Sequence, residues 1–209
     1  VMLHIASDGW AEGVFVEEFT SLYQSYSSCI ASDLSPLPLQ YIDYALWQQE
    51  YVEGAVLDSQ LSYWQEQLSG VSPLGLPTDY QRPIEQSTRG SRYAFGIDAD
   101  LQDDLQKIAQ EEGVTLFMLL LSVFKVLMYR YSGQDDICVG TPIANRTQEE
   151  TEGMIGFFVN TLALRSHVGA DATFKEFLQQ VKATTLSGYD HQHAPFEKVV
   201  EHVVETRDM

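Results

Sequence analysis

The second half of the chain alternates helical and strand-like segments, and this alternation is the sequence feature that most constrains the fold. Asp98 and Thr115 stand where helix N-caps are expected, and Gly113 and Gly133 stand where the two helical patterns end. The predicted helices cover 98–113, 116–131 and 173–187, with a last one from Pro195, and the predicted strands cover 92–97, 137–140 and 155–164. Helices between strands at such spacings predict an α/β fold with layered helices.

The first 80 residues carry three further helical patterns behind a short apolar start. Residues 1–5 are apolar and β-branched, which predicts the end of a buried strand. A helix is predicted over 10–27, with Phe15, Phe19, Leu22 and Tyr26 on one face. Two more helices are predicted over 40–52 and 55–68, and the segment 71–83, with three prolines, is the best candidate for a boundary between lobes.

Two of the later helices have predicted inward faces. Leu101, Leu105, Ile108 and Ala109 recur at helical spacing, so we expect all four to point into the core. The pattern over 116–131 is apolar on most of its circumference, which predicts a helix buried between layers.

The charge is strongly acidic and unevenly distributed. The net charge is −18, and residues 1–81 contain eleven Asp and Glu but no Lys or Arg. Such a field excludes nucleic-acid binding by charge attraction. If Asp8 is buried and ionised, its partner must therefore come from later in the chain, from backbone N–H groups, or from sequence upstream of Val1.

Cysteine use and hydropathy place the chain in a reducing compartment and away from membranes. No run reaches the roughly 18 apolar residues that span a bilayer, and the start lacks the basic segment of a secretory signal. Cys29 and Cys138 have no metal-like spacing, so we expect two buried free thiols. These features predict a cytoplasmic protein that binds neither membranes nor nucleic acid.

The segment HIASDGW at residues 4–10 is the candidate site of chemistry. His4 and Asp8 are four residues apart, and Gly9 follows the carboxylate. Taken alone, this pair is weak evidence for a catalytic site, because a His and an Asp at this spacing are common. No third ligand lies nearby to make a metal site, and Ser7 lacks the sequence context of a nucleophile elbow.

Three other features have two interpretations each. Asn160 lies within an apolar strand pattern, either bonded to backbone at an edge or bulge, or projecting into a site. His191 and His193 are interpreted as loop residues and helix-cap partners rather than a metal pair. The aromatic residues of YIDYALWQ, at 41–48, are interpreted as core rather than as ligand contacts.

These motifs occur together in one order, and in that order the chain resembles the condensation domains of nonribosomal peptide synthetases. HIASDGW is similar to the HHxxxDG core of that family, and YIDYALWQ to its YxDYAxWQ helix. Further blocks match in sequence: LPTDYQRP, TLFMLLLSVFKVLMYRYSGQDDICVGTPIANRT, IGFFVNTLALR and HQHAPFEKVVE. The resemblance covers nearly all 209 residues.

Two departures from the family pattern affect the interpretation. Leu3 replaces the first histidine of HHxxxDG, while His4 matches the second, which the family uses. The chain also covers about the middle half of a family domain, so the arginine that commonly pairs with the motif aspartate is expected to lie in the absent part. The final residues 207–209 hold only the start of a further family block.

The resemblance implies a chloramphenicol-acetyltransferase-like fold of class α/β with two lobes, present here in part. Residues 1–80 would be the end of the N-lobe, with the HxxxDG motif, and 81–209 part of the C-lobe. The loop 141–156 would form the floor that bridges the lobes beneath a tunnel.

The resemblance also implies the reaction and the roles of the motif residues. The activity would be peptide-bond formation, in which a carrier-bound aminoacyl amine attacks an upstream carrier-bound thioester. His4 would accept a proton or only orient the amine. Asp8 would fix the turn, Gly9 would offer its N–H toward the oxyanion, and Asn160 would lie near the substrate channel. The motifs resemble the branch that joins two L-configured residues.

Partners and alternatives follow from the same resemblance. The resemblance implies that no cofactor or metal would be bound directly. Phosphopantetheine arms would come from upstream and downstream peptidyl carrier domains, and an adenylation domain would lie adjacent. The alternatives are a starter-type domain that adds a fatty acyl group, a catalytically silent carrier-docking domain, and a stand-alone acyl-CoA-dependent acyltransferase. The 209 residues alone are expected to be inactive.

Overall fold

The computed structural model describes residues 2–81, 85 and 87–203, and this part of the chain is mainly helical. Its helices are α1 (Gly9–Ser27), α2 (Tyr41–Tyr51), α3 (Gly54–Leu68), α4 (Ala99–Glu111), α5 (Leu116–Ser132), α6 (Phe174–Asp190) and α7 (Phe196–Val203). Its strands are β1 (Asp136–Ile143) and β2 (Asn160–His167), with a 3-10 turn at Glu149–Thr151 between them. The predicted helices are thus confirmed, most of them to within a few residues at each end.

The chain divides into two compact units. The first comprises Val1–Ser69, Gly140–Leu162 and His191–Met209, and the second comprises Gly70–Val139 and Ala163–Asp190. The predicted division at residues 80 and 81 concerns the lobes of a complete domain and stays a prediction. Arg82 and Pro83 of the predicted boundary segment, and the final block at 207–209, lie outside the described residues.

The core of the first unit is aromatic and joins α2 to the loop before β2. Tyr44 packs with Met154 and Phe158, and Leu37 covers their edge. Because the centroids of the Tyr44 and Phe158 rings lie 4.6 Å apart, α2 and this loop form one packed layer. The interpretation of the YIDYALWQ aromatics as core is therefore confirmed at Tyr44 but is wrong at Tyr41 and Trp47, which are exposed.

The second unit packs α5 against α4 and α6. Its core contains Ala109, Leu119 and Leu178, one from each helix, with Leu105, Val114 and Leu116 packed against them. The predicted caps are present. The Asp98 carboxylate accepts the Leu101 N–H at 2.8 Å, the Thr115 hydroxyl accepts the Met118 N–H at 3.2 Å, and Gly133 ends α5 at φ 71°.

A lysine is fully buried on the inner side of α5. Lys125 donates from Nζ to the Leu164 carbonyl at 2.8 Å and to the Ser166 hydroxyl at 2.7 Å. Burial lowers the pKa of this ammonium to about 8. Both acceptors belong to β2, so the side chain fastens that strand to the helix.

The two strands pair as an antiparallel ribbon. At one end Asp136 accepts two hydrogen bonds from Arg165, at 2.8 and 2.7 Å, and toward the other end Gly140 lies beside the Thr161 methyl group. The two-pronged pair lowers the pKa of Asp136, chiefly through the Arg165 hydrogen bond.

The structure contradicts three strand assignments. Residues 3–6 form a turn, because the Ala6 N–H and the Ser7 hydroxyl both donate to the Leu3 carbonyl, and Ile5 is 86% exposed. Residues 92–97 have no regular secondary structure and are not part of the sheet that β1 and β2 form among the described residues. Residues 155–159 are loop, since the Phe158 N–H bonds the Asp8 carboxylate rather than a neighbouring strand. The predicted strand at 137–140 is confirmed and is longer.

Burial predictions for α5, for two residues of α4 and for the cysteines are also wrong. On α1, for which no burial was predicted, only Ala11 is buried; Phe15 stacks on Phe19 and Phe19 on Tyr23, and all three rings are exposed. On α5 one side is buried, and the opposite side, with Phe117, Leu120, Phe124 and Leu127, is between 39% and 46% exposed. On α4, Leu105 and Ala109 pack inward, whereas Leu101 and Ile108 are exposed. Cys29 is exposed and Cys138 only partly buried. Among the described residues, these faces have no covering element within their own unit.

Among the described residues, no single helix has the length and apolar character needed to cross a membrane. Only α4 and α5 taken together, bent by 103° at their junction, reach that length and composition.

Candidate active site around His4 and Asp8

The turn that carries His4 fixes its imidazole through the backbone. His4 Nδ1 lies 2.9 Å from the Ser7 carbonyl oxygen. A carbonyl can only accept, so Nδ1 carries a proton, and in the neutral form of the ring the lone pair is on Nε2. The Ser7 hydroxyl donates to the Leu3 carbonyl at 3.1 Å, so it is not paired with His4 as a catalytic triad would require.

Asp8 is the buried N-cap of α1. One carboxylate oxygen accepts the Ala11 N–H at 2.8 Å, and the other accepts the Phe158 N–H at 3.0 Å. Burial by itself raises the pKa of Asp8, but these two N–H groups and the nearby Arg146 guanidinium outweigh it and hold the pKa below its ordinary value. The carboxylate is therefore ionised at neutral pH and acts as a structural anchor.

Arg146 supplies the cation that the first 81 residues lack. Its Nη2 lies 3.2 Å from the Asp8 carboxylate, and both side chains are at most 1% exposed. Nη1 donates to the Met154 carbonyl at 2.9 Å and also to that of Thr151, and the guanidinium carbon lies 4.0 Å from the Phe158 ring centroid. One cation thus fastens the loop 146–158 to the motif turn.

The charge distribution left three possible sources of a partner for Asp8: a later residue, backbone N–H groups, or upstream sequence. The structure shows the first two. Asp8 is balanced by a later residue and by backbone N–H groups. The expectation that its arginine lies in the absent part of the domain is wrong, because Arg146 is in this chain. A signal was present in the sequence: Arg146 is the one basic residue between Arg130 and Arg165.

Gly9 and Trp10 begin α1 beside the anchor. A Cβ added to Gly9 would have no neighbour within 4 Å among the described residues. The predicted role of this glycine toward an oxyanion stays a prediction. The Trp10 indole N–H donates to the Glu152 carbonyl at 2.9 Å, which ties the helix start to the same loop.

Phe157, which lies beside His4, and Tyr41, which holds Phe157, were not found by sequence reasoning. The Phe157 ring lies edge-on to the imidazole, with centroids 5.2 Å apart and an angle of 81° between the rings. The Tyr41 hydroxyl donates to the Phe157 carbonyl at 2.8 Å. Both residues stood in the recognised motifs, but a contact between residues more than 100 positions apart leaves no local pattern.

Asn160 is occupied by backbone. Its Nδ2 donates to the carbonyls of Gln192 and Ala194 at 2.9 and 2.8 Å, and its Oδ1 accepts the Phe196 N–H at 3.0 Å. This is the first of the two interpretations of the residue. The amide joins β2 to the loop before α7, and its predicted place in a substrate channel stays a prediction.

The histidines of the 191–193 loop pack against aromatic rings. The His191 ring stacks on Tyr63 with centroids 3.7 Å apart, and the His193 N–H donates to the Gln60 side chain at 3.2 Å. Burial lowers the pKa of His193. In the part of the chain that the structure describes, no group of three or more His, Cys, Asp or Glu side chains could hold a metal ion.

Comparisons with known proteins match the whole chain to one family, the Condensation domain, over residues 1–209. Tyrocidine synthase 3 of Brevibacillus parabrevis is 44% identical over 100% of this chain, which spans 3% of that protein. The X-domain from teicoplanin biosynthesis is 28% identical at a TM-score of 0.85, covering 96% of this chain and 46% of the solved one. The four-domain nonribosomal peptide synthetase AB3403 is 29% identical at a TM-score of 0.83, covering 99% and 15%.

These likenesses confirm the predicted fold class, part of the chloramphenicol-acetyltransferase-like fold. They rest on the full set of motifs rather than on HxxxDG alone, because the match runs from the first to the last residue. The chain therefore belongs to the condensation-domain family of nonribosomal peptide synthetases.

Proposed function

We propose that the domain formed with these residues joins two carrier-bound groups by an amide bond. The observation that carries the proposal is the hydrogen bond from His4 Nδ1–H to the Ser7 carbonyl, because the neutral form of a ring held in this way has its lone pair on Nε2 and can accept a proton there. Family membership supplies the reaction class, and the intact His4, Asp8 and Gly9 support an active member.

In the proposed reaction an amine attacks a thioester carbonyl. A carbon–nitrogen bond forms, the carbon–sulfur bond breaks, and the proton lost by nitrogen leaves with the thiol. An α-amine has a pKa near 8, so a useful fraction is already neutral at cellular pH. Holding both tethered reactants together supplies most of the gain. His4 Nε2 would take the proton from nitrogen, a role worth roughly 10²–10⁴ in rate; orienting the amine by a hydrogen bond is the alternative.

The remaining residues act by holding this geometry. Asp8 and Arg146 fix the turn, and the Gly9 N–H, at the first turn of α1, is offered toward the developing oxyanion. Asn160 shapes the channel wall by holding the 192–196 backbone. The two substrates arrive on phosphopantetheine arms of upstream and downstream carrier domains, with an adenylation domain adjacent, and both joined residues are of the L configuration.

One observation favours a second function, a catalytically silent domain that docks a partner. Leu3 stands where the family has its first motif histidine, and it is 68% exposed. A starter-type domain, the other alternative, would take a fatty acyl group as its donor.

The test is a condensation assay on the natural protein that contains this domain. Donor and acceptor carriers are loaded with aminoacyl groups, and the product on the acceptor is measured by mass spectrometry. The proposal expects a dipeptidyl thioester as the product. In His4→Ala the rate of its formation should be lower by about 100-fold or more. Near-normal turnover in His4→Ala would overturn the role of His4. Product only with fatty acyl donors identifies the starter type, and carrier binding without any product identifies the silent one.

A further inference from the structure

The imidazole of His4 is held from two directions. The Ser7 carbonyl fixes its Nδ1 edge at 2.9 Å, and the Phe157 ring meets it edge-on at 5.2 Å between centroids. A hydrogen bond alone leaves the ring free to swing about that bond. The aromatic contact removes this freedom, so the direction of Nε2 depends on where Phe157 lies.

Phe157 lies in a loop, so its own position needs a support. The Tyr41 hydroxyl donates to its carbonyl oxygen at 2.8 Å. Tyr41 is the first residue of α2, and the carboxylate of Asp43 accepts the Gln40 N–H at 2.8 Å, which fixes where this helix starts. The support is therefore attached to a regular element rather than to another loop.

Gly156 allows this support to come close. A Cβ built on Gly156 would lie 2.6 Å from Cε2 of Tyr41 and 2.9 Å from Cε2 of Phe158, closer than side-chain atoms approach one another. The Tyr41 ring lies over the bare backbone of the glycine and is edge-on to Phe158, with centroids 5.2 Å apart. The Tyr41 side chain thus contacts the backbone at two successive residues: its ring lies against Gly156, and its hydroxyl holds the carbonyl of Phe157.

The phenol is suited to act as a permanent donor. Burial, together with the nearby charge of Asp8, raises the pKa of Tyr41 above its ordinary value. The hydroxyl therefore keeps its proton throughout the pH range in which an amine attacks a thioester.

We infer that Tyr41 is a positioning residue for His4 and acts through Phe157, with Gly156 as the space that its ring requires. The inference rests on the proposed function only for its kinetic readout. The role of Tyr41 is indirect, because it holds the residue that contacts His4.

The kinetic test uses Tyr41→Phe in the natural protein, which keeps the ring over Gly156 and removes one hydroxyl. We expect kcat for amide formation to fall about 5- to 10-fold, with KM for the acceptor carrier changed less than about twofold, because binding of the carrier does not depend on the direction of His4. Tyr51→Phe is the matched control: it lies on the same helix, and its hydroxyl bonds none of the described residues.

Two further variants separate positioning from general stability. Phe157→Leu should lower kcat about as much as Tyr41→Phe, and Phe157→Tyr, which keeps the ring, should restore it. In a His4→Ala background, Tyr41→Phe should have no further effect, since its only route to the reaction has been removed. An equal loss in both backgrounds, or a rise in KM with kcat unchanged, overturns the inference.

A second arm does not depend on activity. In protein labelled at the histidine ring carbons, the ring current of Phe157 shifts the His4 resonances. These resonances should move in Tyr41→Phe and Phe157→Leu and stay in place in Tyr51→Phe. If the natural protein forms no amide but the His4 signals respond, the proposed function fails and the positioning role stands. If amide forms and the signals do not respond, the positioning role fails.

Discussion

The carboxylate of Asp8 and the guanidinium of Arg146 lie 3.2 Å apart although the residues are 138 positions apart in sequence. Both are withdrawn from water, so each would be costly without the other. The pair connects the turn that presents His4 to the loop that presents Phe157, and it does so with one bond to a carboxylate and two to loop carbonyls. The geometry of the site depends on this connection.

Removing the cation should destabilise the fold strongly. In Arg146→Met the Asp8 carboxylate is left buried, so we expect the free energy of unfolding to fall by about 3–5 kcal/mol. Urea unfolding of the domain measures the change, with Arg130→Met, at an exposed position, as the control. An unchanged unfolding midpoint in Arg146→Met would show that the pair contributes nothing.

The anchor should also weaken in acid. The pKa of Asp8 is lowered in the folded state despite the opposing effect of burial, so its contribution to stability is present above the unfolded pKa and is lost as pH falls through the folded value. The stability difference between the natural protein and Asp8→Asn should therefore shrink as pH falls below about 4. Asp98→Asn, an exposed N-cap of the same type, serves as the comparison. A difference independent of pH contradicts an ionised Asp8.

Lys125 should produce a pH dependence at the alkaline end. Burial lowers its pKa to about 8 from the ordinary 10.5, so the unfolded chain binds the extra proton between these values, and stability rises with pH over that window. Lys125→Met removes this rise, which amounts to roughly 2–4 kcal/mol. Urea unfolding of both proteins at about pH 7.5 and about pH 10 gives the difference. Equal pH dependence in the two proteins would mean that the ammonium reaches water.

Asn160 offers a test of structure against substrate contact. Asn160→Asp keeps the shape of the side chain but replaces its NH₂ group by an oxygen. That oxygen would face the carbonyls of Gln192 and Ala194, and both donated hydrogen bonds would be lost. We expect a loss of about 2–4 kcal/mol in stability and faster amide exchange in residues 191–196. Unchanged stability with a raised KM would instead assign the residue to substrate alone.

The local parts of the fold could be predicted because they depend on neighbouring residues. Asp98 and Thr115 cap the helices that follow them, and Gly113 and Gly133 end helices at φ 63° and 71°. The boundaries of α1 to α3 follow from apolar spacing in the same way.

The parts that failed depend on distant residues. The run 155–159 has strand composition, but the Asp8 carboxylate takes the Phe158 N–H, and Gly156 is covered by the Tyr41 ring. The charge distribution showed that Asp8 needed a partner from elsewhere, yet it could not choose Arg146. His4, Asp8 and Gly9 were proposed from the motif; the contacts of His4 with Ser7 and Phe157, and of Asp8 with Arg146, required coordinates.

The fastening of loop 146–158 to the motif turn also bears on chimeric synthetases. A chimera that exchanges only the loop would replace the counter-charge of Asp8, the N–H that the carboxylate accepts and the ring beside His4 in a single step. A chimera that exchanges only the turn would leave Arg146 without its carboxylate. Segments 3–10 and 146–158 therefore form one structural unit for exchange, although more than 130 residues of chain separate them. A chimera should take both segments from the same parent.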